Sequence, residues 1–270
     1  MESALDWHGA KALLEWYVEL GAVDAVGDTP IDRYALEKSL PKPRPRAEPA
    51  PAAPARPAPA PAPASPTTHN HVADATAKAE AAQSLEALAE TMRGFDGLDL
   101  KKGARNFVFA DGNPGARVMI VGEAPGADED RIGQPFVGRA GQLLDRMLAA
   151  IGLGRDHPDE AHSVYITNIL PWRPPVNRTP TADEIAVMVP FVRRHIALAD
   201  PDLLILMGNT PCSALLGRTG ILRMRGSWTQ AENRPVMPMT HPAYLLRNPA
   251  AKREAWADLL EIQAKLRDRP

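Results

Sequence analysis

The stretch Arg117-Val118-Met119-Ile120-Val121-Gly122-Glu123-Ala124-Pro125-Gly126-Ala127-Asp128-Glu129-Asp130 decides the fold. Its first part is mostly apolar and ends at a glycine, which predicts a buried strand. The loop that follows carries carboxylates and backbone amides on a tight turn. A second segment, His241-Pro242-Ala243-Tyr244-Leu245-Leu246-Arg247-Asn248, places an imidazole beside a proline-stiffened turn after another apolar run. A carboxylate and an imidazole at one sheet edge could split a bond whose leaving group departs as an anion.

Apolar strands and amphipathic helices alternate outward from this stretch. The predicted strands are residues 117–121, 163–167, 203–207 and 236–239, and the predicted helices are residues 138–151, 182–198, 210–216 and 252–266. This alternation indicates an α/β fold, a three-layer α/β/α sandwich with a central, mainly parallel sheet. Ligands of such sheets bind at the carboxyl ends of the strands. Glu123, Asn168, Gly208 and His241 follow or end predicted strands, so we expect one site at this edge.

The chain before this domain has a different composition. Within residues 1–39, the side chains of Leu13, Trp16, Tyr17 and Leu20 recur at helical spacing, which predicts a short amphipathic helix. Residues 40–72 are rich in Pro and Ala, and we expect them to be a disordered linker. Residues 73–93 predict a helix that leads into a domain of residues 73–270. The N-terminal helix either docks a protein partner, packs on its own domain or is only marginally stable alone.

Composition excludes several classes of protein and site. The chain has 270 residues and a net charge of −2, divided as −4 over residues 1–94 and +2 over residues 95–270. A mildly basic domain permits phosphate contacts without requiring them. The single cysteine, Cys212, excludes an intramolecular disulfide and a multi-cysteine metal site, and we expect it to face the core. No secretory signal or membrane span is predicted, which indicates a cytoplasmic protein.

The loop after the first strand contains Gly122, Gly126 and Gly133. It lacks the Gly-Lys-Ser/Thr of a nucleoside-triphosphate loop and the spacing of a dinucleotide fingerprint. Viewed alone, it is either an unspecific turn or a phosphate cradle. Its distinctive content is the pair Glu129-Asp130 followed by Phe136, whose ring offers a flat apolar face. No paired His, Cys or Asp spacing predicts a metal site.

Several blocks of the chain together resemble the family 4 uracil-DNA glycosylases. The blocks are residues 122–130, Gly133-Gln134-Pro135-Phe136-Val137-Gly138-Arg139-Ala140-Gly141-Gln142-Leu143-Leu144, Tyr165-Ile166-Thr167-Asn168, Arg173-Pro174-Pro175-Val176-Asn177-Arg178 and residues 241–248. They occur in family order over residues 95–267. The resemblance implies an enzyme of DNA base excision repair that flips uracil out of DNA, hydrolyses its N-glycosidic bond and leaves an abasic site. We expect a nucleoid-associated monomer whose partner is uracil-containing DNA.

The resemblance also implies roles for individual residues. Phe136 matches the aromatic that stacks on uracil, Asn168 the amide that reads the uracil edge, and His241 the imidazole that hydrogen-bonds the uracil oxygen. Glu129 matches the carboxylate that positions water and stabilises the cationic sugar. Its neighbours Glu123, a second catalytic candidate, and Asp130 are chemically similar. The backbone that would line the pocket belongs to Gly122, Ala124, Pro125 and Gly126. The residues that would contact DNA are Tyr244, Leu245, Arg247 and Arg178, with an apolar wedge and a phosphate anchor among them.

The chain departs from the family pattern in two places. The family usually carries an iron–sulfur cluster on four cysteines, and the matching positions here are Phe95, Leu98, Trp172 and Met188. None is a thiolate, so we expect no cofactor and a hydrophobic plug in its place. A covalent-trapping branch of the superfamily has a histidine at the position to which Asn177 is nearest here. Because this chain lacks that histidine, we expect turnover and no lasting protein–DNA adduct. Two alternatives remain open: a non-catalytic DNA-binding or damage-sensing protein, and a glycosylase for another deaminated base.

Overall fold

The computed structural model describes residues 66–267. The predicted N-terminal helix around Trp16 and most of the predicted linker lie outside this range. None of the helices within it is long and apolar enough to cross a membrane.

The described chain begins with two helices where the sequence predicts one. Helix α1 spans Pro66–Ala81 and helix α2 spans Leu85–Gly94, so the chain is already helical inside the stretch 40–72 that we expected to be a linker. Proline is favoured at the first helical position, because its missing N–H has no partner there. The predicted single helix over 73–93 is wrong, because Ser84 starts a new helix by accepting a hydrogen bond from the N–H of Ala87 (3.2 Å).

A mixed sheet of six strands forms the centre of the domain, in the order β1-β3-β2-β4-β6-β5. The strands are β1 Ala110–Gly112, β2 Val118–Gly122, β3 Val164–Asn168, β4 Leu203–Met207, β5 Thr229–Ala231 and β6 Arg234–Met239. The four inner strands run parallel, and the edge strands β1 and β5 run antiparallel to their neighbours. The α/β fold with a mainly parallel sheet is therefore confirmed. The two edge strands escaped prediction because they are short and only half-buried.

The remaining helices connect the strands. They are α3 Ala127–Ile132, α4 Arg139–Ala149, α5 Ala182–Ala199, α6 Asn209–Leu216, α7 Ile221–Met224, α8 Pro242–Arg247 and α9 Lys252–Arg267, with 3-10 turns at Asp99–Lys102, Pro175–Asn177 and Pro249–Ala251. The longer helices agree with the predicted ranges to within a few residues. The helices α3, α7 and α8 are too short for an apolar period to reveal them.

Alternate side chains of each inner strand enter two separate cores, which makes the three layers. Val118 and Ile120 of β2 face the core that α4, α8 and α9 complete. Met119 and Val121 face the opposite core, which α1, α2, α5 and α6 complete. Cys212 lies fully buried in this second core, and burial raises the pKa of its thiol to about 12. A neutral buried thiol of this kind is a core residue rather than a nucleophile.

The second core includes a group of side chains that we call the N-terminal cluster: Phe95, Leu98, Trp172 and Met188, all at most 8 % exposed. Phe95 meets the ring of Phe191 edge-on at 5.2 Å between centroids. Such edge-to-face packing stabilises aromatic pairs beyond the area that they bury. The cluster therefore joins the segment after α2 to the loop after β3 and to α5.

Candidate active site

A cavity of about 760 Å³ opens at the carboxyl ends of the inner strands. Its wall is built from the loops that follow β2, β3, β4 and β6, so the sheet topology brings together segments more than a hundred residues apart. The predicted site residues in this wall are Glu123, Ala124, Pro125, Gly126, Glu129, Phe136, Asn168, Arg178, His241, Tyr244 and Arg247. Glu123, Asn168, Gly208 and His241 all line this one space, as their positions at strand ends predict.

Gly122, the last residue of β2, lets two recognition groups approach each other. A Cβ at this position would lie 2.3 Å from Oδ1 of Asn168 and 2.5 Å from Cε2 of Phe136, so a larger residue would displace both. Asn168, the last residue of β3, is 5 % exposed, and its amide makes no hydrogen bond with any residue of the range 66–267. A buried amide needs partners. Its donor and acceptor are therefore left for a ligand.

The backbone of Phe136 is held in an unfavourable conformation. Its φ is +53°, a value that residues with a Cβ rarely adopt. Helix α4 packs so closely on it that a Cβ at Gly141 would lie 1.7 Å from the carbonyl oxygen of Phe136. Arg155 donates a hydrogen bond to the same carbonyl oxygen at 2.8 Å. These contacts fix the ring at the cavity wall despite the backbone strain.

Arg155 is a supporting residue that the sequence analysis missed. Its guanidinium pairs with Asp111 at 2.7 Å and with Asp145 at 2.9 Å. Burial disfavours the charge of Arg155, but the hydrogen bonds and attraction of the two carboxylates outweigh it and raise its pKa. The guanidinium thus stays charged beneath Phe136. An isolated arginine between two predicted elements gives no local signal of this role.

His241 presents one defined proton to the cavity. It caps α8: its Nδ1 accepts a hydrogen bond from the N–H of Ala243 at 3.1 Å, so the neutral ring carries its proton on Nε2. Burial lowers the pKa of His241 to about 4; the charge of Glu129 opposes this shift and that of Arg247 adds to it. The imidazole is therefore neutral near pH 7. Its ring lies 5.3 Å from that of Phe136, between centroids, at an interplanar angle of 26°.

The three neighbouring carboxylates differ in how their oxygens are used. Oε2 of Glu129 accepts from the N–H of Gly126 (3.1 Å), and Oε1 accepts from the N–H groups of Val137 (3.0 Å) and Gly138 (2.9 Å). Both oxygens of Glu129 thus tie the loop after β2 to the start of α4. Asp130 is 3 % exposed, and one of its oxygens accepts from the backbone N–H of Arg105 (2.8 Å). Asp130 is not part of the cavity wall.

Glu123 is the carboxylate of the cavity wall that still has an oxygen free to accept a hydrogen bond. Its Oε2 accepts a hydrogen bond from the hydroxyl of Thr210 at 2.5 Å. Its second oxygen accepts no hydrogen bond from the part of the chain that the structure describes. Thr210, 5 % exposed, lies in the first turn of α6 and also lines the cavity. Thr210 has no signal in the sequence, because nothing near it in the chain marks a carboxylate partner 87 residues away.

Leu245 requires a correction. We expected it to enter or flank the minor groove, but its side chain is 1 % exposed and belongs to the core beneath α8. Pro242 and Leu245, three residues apart, share the buried face of this short helix. Tyr244 and Arg247 share another face and line the cavity. The rotation of the helix about its axis decides which pair is buried and which faces the cavity, and the sequence motif alone does not give this rotation.

The two arginines at the cavity differ in their pairing. Arg178 forms a two-pronged ion pair with Glu184, with N···O distances of 2.6 and 2.8 Å. Arg247 is exposed and makes no ion pair with any residue between 66 and 267. Arg247 is therefore the more available cation for an anionic ligand.

Comparison with known proteins agrees with this arrangement. Residues 109–260 match the uracil DNA glycosylase superfamily. A type-4 uracil-DNA glycosylase of Thermotoga maritima is 37 % identical over 169 residues, which cover 61 % of this chain and 84 % of that protein. A type-4 enzyme of Archaeoglobus fulgidus is 35 % identical over 189 residues, 67 % of this chain and 92 % of that protein. A type-5 enzyme of Pyrobaculum aerophilum is 33 % identical over 146 residues, 50 % of this chain and 64 % of that protein.

The matched range contains the whole sheet and every strand end that borders the cavity. The family resemblance of the sequence motifs is thereby confirmed. The chain belongs to the uracil DNA glycosylase superfamily and, within it, groups with the type-4 uracil-DNA glycosylases.

Proposed function

We propose that this protein is a DNA-repair enzyme that releases uracil from DNA by hydrolysing its N-glycosidic bond, leaving an abasic site. The observation that carries this proposal is the convergence of the Phe136 ring, the Asn168 amide and the His241 imidazole on one cavity. The type-4 relatives are named for the same activity.

Recognition begins with extrusion of the deoxyuridine, because the glycosidic bond is inaccessible inside a base stack. The extruded ring would lie against Phe136, whose flat face accepts a pyrimidine. Asn168 offers a donor and an acceptor side by side, which matches the adjacent carbonyl and N–H groups of uracil. Gly122 keeps the wall thin enough for both contacts.

Cleavage leaves both bonding electrons on the base. As the bond between C1′ and N1 breaks, uracil becomes an anion and the sugar becomes a cation. The Nε2–H of neutral His241 donates to a uracil oxygen on which negative charge develops. Because the pKa of His241 is lowered, the ring is neutral near pH 7, and the N–H of a neutral imidazole is a very weak acid that donates a hydrogen bond without giving up its proton.

A water molecule completes the reaction: its oxygen forms a bond to C1′, and the proton that it loses passes through the carboxylate beside it to the departing uracil anion. We assign the carboxylate that faces this water and the sugar cation to Glu123, because one of its oxygens remains unused. Glu129, which the resemblance favours for this role, instead spends both oxygens on backbone N–H groups. In this proposal Glu129 holds the loop that shapes the cavity, and Glu123 performs the chemistry.

The cavity assignment is tested with oligonucleotides that carry a single uracil, hypoxanthine or xanthine, followed by alkaline cleavage at abasic sites. We expect cleavage at uracil, and loss by about a hundredfold or more for Asn168→Ala and His241→Ala. His162→Ala, an exposed histidine outside the cavity, is the matched control. Wild-type rates in both cavity variants would refute the site, and release of another base alone would refute the substrate.

The residues of the N-terminal cluster do not fit an iron–sulfur cluster. The positions that the resemblance assigns to cysteine ligands are filled by packed apolar side chains, and none of them can supply a thiolate. Within residues 66–267 no group of three or more His, Cys, Asp or Glu side chains is placed to hold a metal. We propose that the apolar packing replaces the inorganic cluster. Purified protein should be colourless, and stoichiometric iron with visible absorption would contradict this proposal.

Turnover rather than covalent trapping is also part of the proposal. Asn177, nearest to the histidine position of the trapping branch, has an amide whose oxygen accepts from Nε of Arg173 at 2.7 Å. An amide is a poor nucleophile, so the sugar cation should react with water instead. A protein–DNA band that survives heat and detergent would overturn this expectation.

A further inference from the structure

The burial of Leu245 leaves open which apolar side chains meet the bases beside an extruded nucleotide. Among the described residues, the two most exposed large apolar side chains are Val176, 94 % exposed, and Leu222, 57 % exposed. We call Val176 and Leu222 the rim pair. Leu222 lines the cavity, and Val176 lies between Pro174 and Asn177, which also line it.

The rim pair flanks the loop that carries Glu123. Strands β3 and β4 are the two neighbours of β2 in the sheet. Val176 lies on the loop that follows β3. Leu222 is held on the β4 side, because Oδ1 of Asn209, just after β4, accepts hydrogen bonds from the N–H groups of Gly220 (3.0 Å) and Ile221 (2.9 Å). The loops that carry Val176 and Leu222 therefore border the cavity on the two sides of β2.

The loop that carries Val176 has a defined conformation, held by a hydrogen bond and an ion pair. Val176 has φ +56° and ψ +24°, a left-handed conformation that is costly for a β-branched residue. The turn is closed by a hydrogen bond from the N–H of Arg178 to the carbonyl of Pro175 (3.1 Å). The ion pair of Arg178 with Glu184 then anchors the turn to the first residues of α5. Local strain and a nearly fully exposed apolar side chain are thus maintained together at the cavity mouth.

We propose that the rim pair contacts the nucleobases that flank the extruded nucleotide and keeps the opened duplex from closing. This inference rests on the proposed function. Apolar side chains inserted at a base step replace part of the stacking that extrusion removes. Arg247, exposed at the same mouth and free of ion pairs within the described chain, is placed to anchor a backbone phosphate.

The state of the DNA strand decides how strongly the rim pair matters. In duplex DNA, extrusion breaks base pairing and stacking, and the gap closes unless it is filled. In single-stranded DNA there is no opposite strand to re-pair, so the same side chains contribute less. The double variant Val176→Ala/Leu222→Ala should lower kcat/KM on duplex uracil substrates by about tenfold or more. On single strands the loss should be at most about threefold.

Further variants separate a contact from a folding defect. Val176→Leu keeps an apolar side chain and should retain most duplex cleavage. Val176→Gly removes the side chain at a position whose positive φ suits glycine, so it should lose duplex cleavage without a lower melting temperature. Leu260→Ala removes an apolar side chain that is 44 % exposed on α9, away from the cavity, and should leave both substrates unaffected.

The outcomes distinguish this inference from the proposed function. If unmodified protein releases uracil from neither substrate, the proposed function fails and the rim pair fails with it. If unmodified protein is active but the double variant is unchanged on duplex DNA, or loses equally on both substrates, the rim-pair inference is refuted and the proposed function stands. A selective loss on duplex DNA with a normal melting temperature supports it.

Discussion

The cavity and the N-terminal cluster differ in how closely their residues follow the family pattern. The cavity wall has polar side chains at the positions of the family motifs, whereas the cluster has packed apolar side chains where the resemblance implies thiolates. The first region presents polar groups to a cavity; the second joins elements of the fold. The comparison teaches that two regions of one fold can stand in opposite relation to the same family pattern.

The largest expected effect separates two carboxylates within the cavity. Glu123→Gln keeps the shape of the side chain and removes its charge, so we expect kcat for uracil release to fall by about 10²–10⁴ with little change in melting temperature. Glu129→Gln weakens three hydrogen bonds from backbone N–H groups, and it should lower the melting temperature as well as activity. A variant pair with these effects exchanged would return the chemical role to Glu129.

The N-terminal cluster should respond in stability rather than in chemistry. Phe95, 1 % exposed, packs on Phe191, and Phe95→Ala should lower the free energy of unfolding by about 3–5 kcal/mol through loss of burial and a residual cavity. Urea unfolding measures this loss. Below the unfolding transition the variant should keep near-normal kcat, because none of the cluster residues lines the cavity. Loss of kcat in a fully folded variant would show that the two regions are coupled.

Sequence reasoning reached the parts of both regions that local patterns encode. Apolar runs located the inner strands, and their parallel arrangement placed Glu123, Asn168 and His241 at one edge. Thr210 and Arg155 were out of reach, because each acts on a carboxylate or carbonyl that is distant in the chain and close only after folding. Leu245 was misplaced for a related reason. Which face of a two-turn helix is buried depends on the core beneath it, and a local sequence motif does not specify that packing.

Thr210 offers a smaller test of the cavity. Thr210→Val removes the hydroxyl that donates to Glu123 while nearly keeping the side-chain shape, and Thr210→Ser keeps the donor. We expect the Val variant to lose about tenfold in kcat, with KM little changed, and the Ser variant to recover most of the rate. A structural role alone would instead lower the melting temperature in step with the activity. Equal activity of the two variants would show that the hydroxyl does not position the carboxylate.

The smallest effect concerns protonation, and it involves His241 in the cavity and His195, a buried histidine outside both the cavity and the N-terminal cluster. Burial lowers the pKa of His241 in the cavity to about 4 and the pKa of His195, a buried residue of α5, to about 3. Nε2 of His195 lies 2.9 Å from the hydroxyl oxygen of Tyr165. Below the ordinary histidine pKa of about 6.5, the unfolded chain binds protons at these two histidines that the folded protein does not bind. The stability that these two histidines contribute is therefore complete above that pH. It is lost as the pH falls toward 4.

His241→Asn isolates the cavity share of this pH dependence. Asparagine is a good helix N-cap, so the variant should retain most of its stability at pH 7. Below pH 6.5 its free energy of unfolding should decline less steeply than that of the unmodified protein, by up to about 1.4 kcal/mol per pH unit, because one refused proton is gone. Urea unfolding at intervals between pH 4.5 and 7.5 measures the two slopes. Identical slopes would mean that the pKa of His241 is not lowered in the folded protein, and the ring would then carry a charge below about pH 6.5 instead of remaining a neutral hydrogen-bond donor.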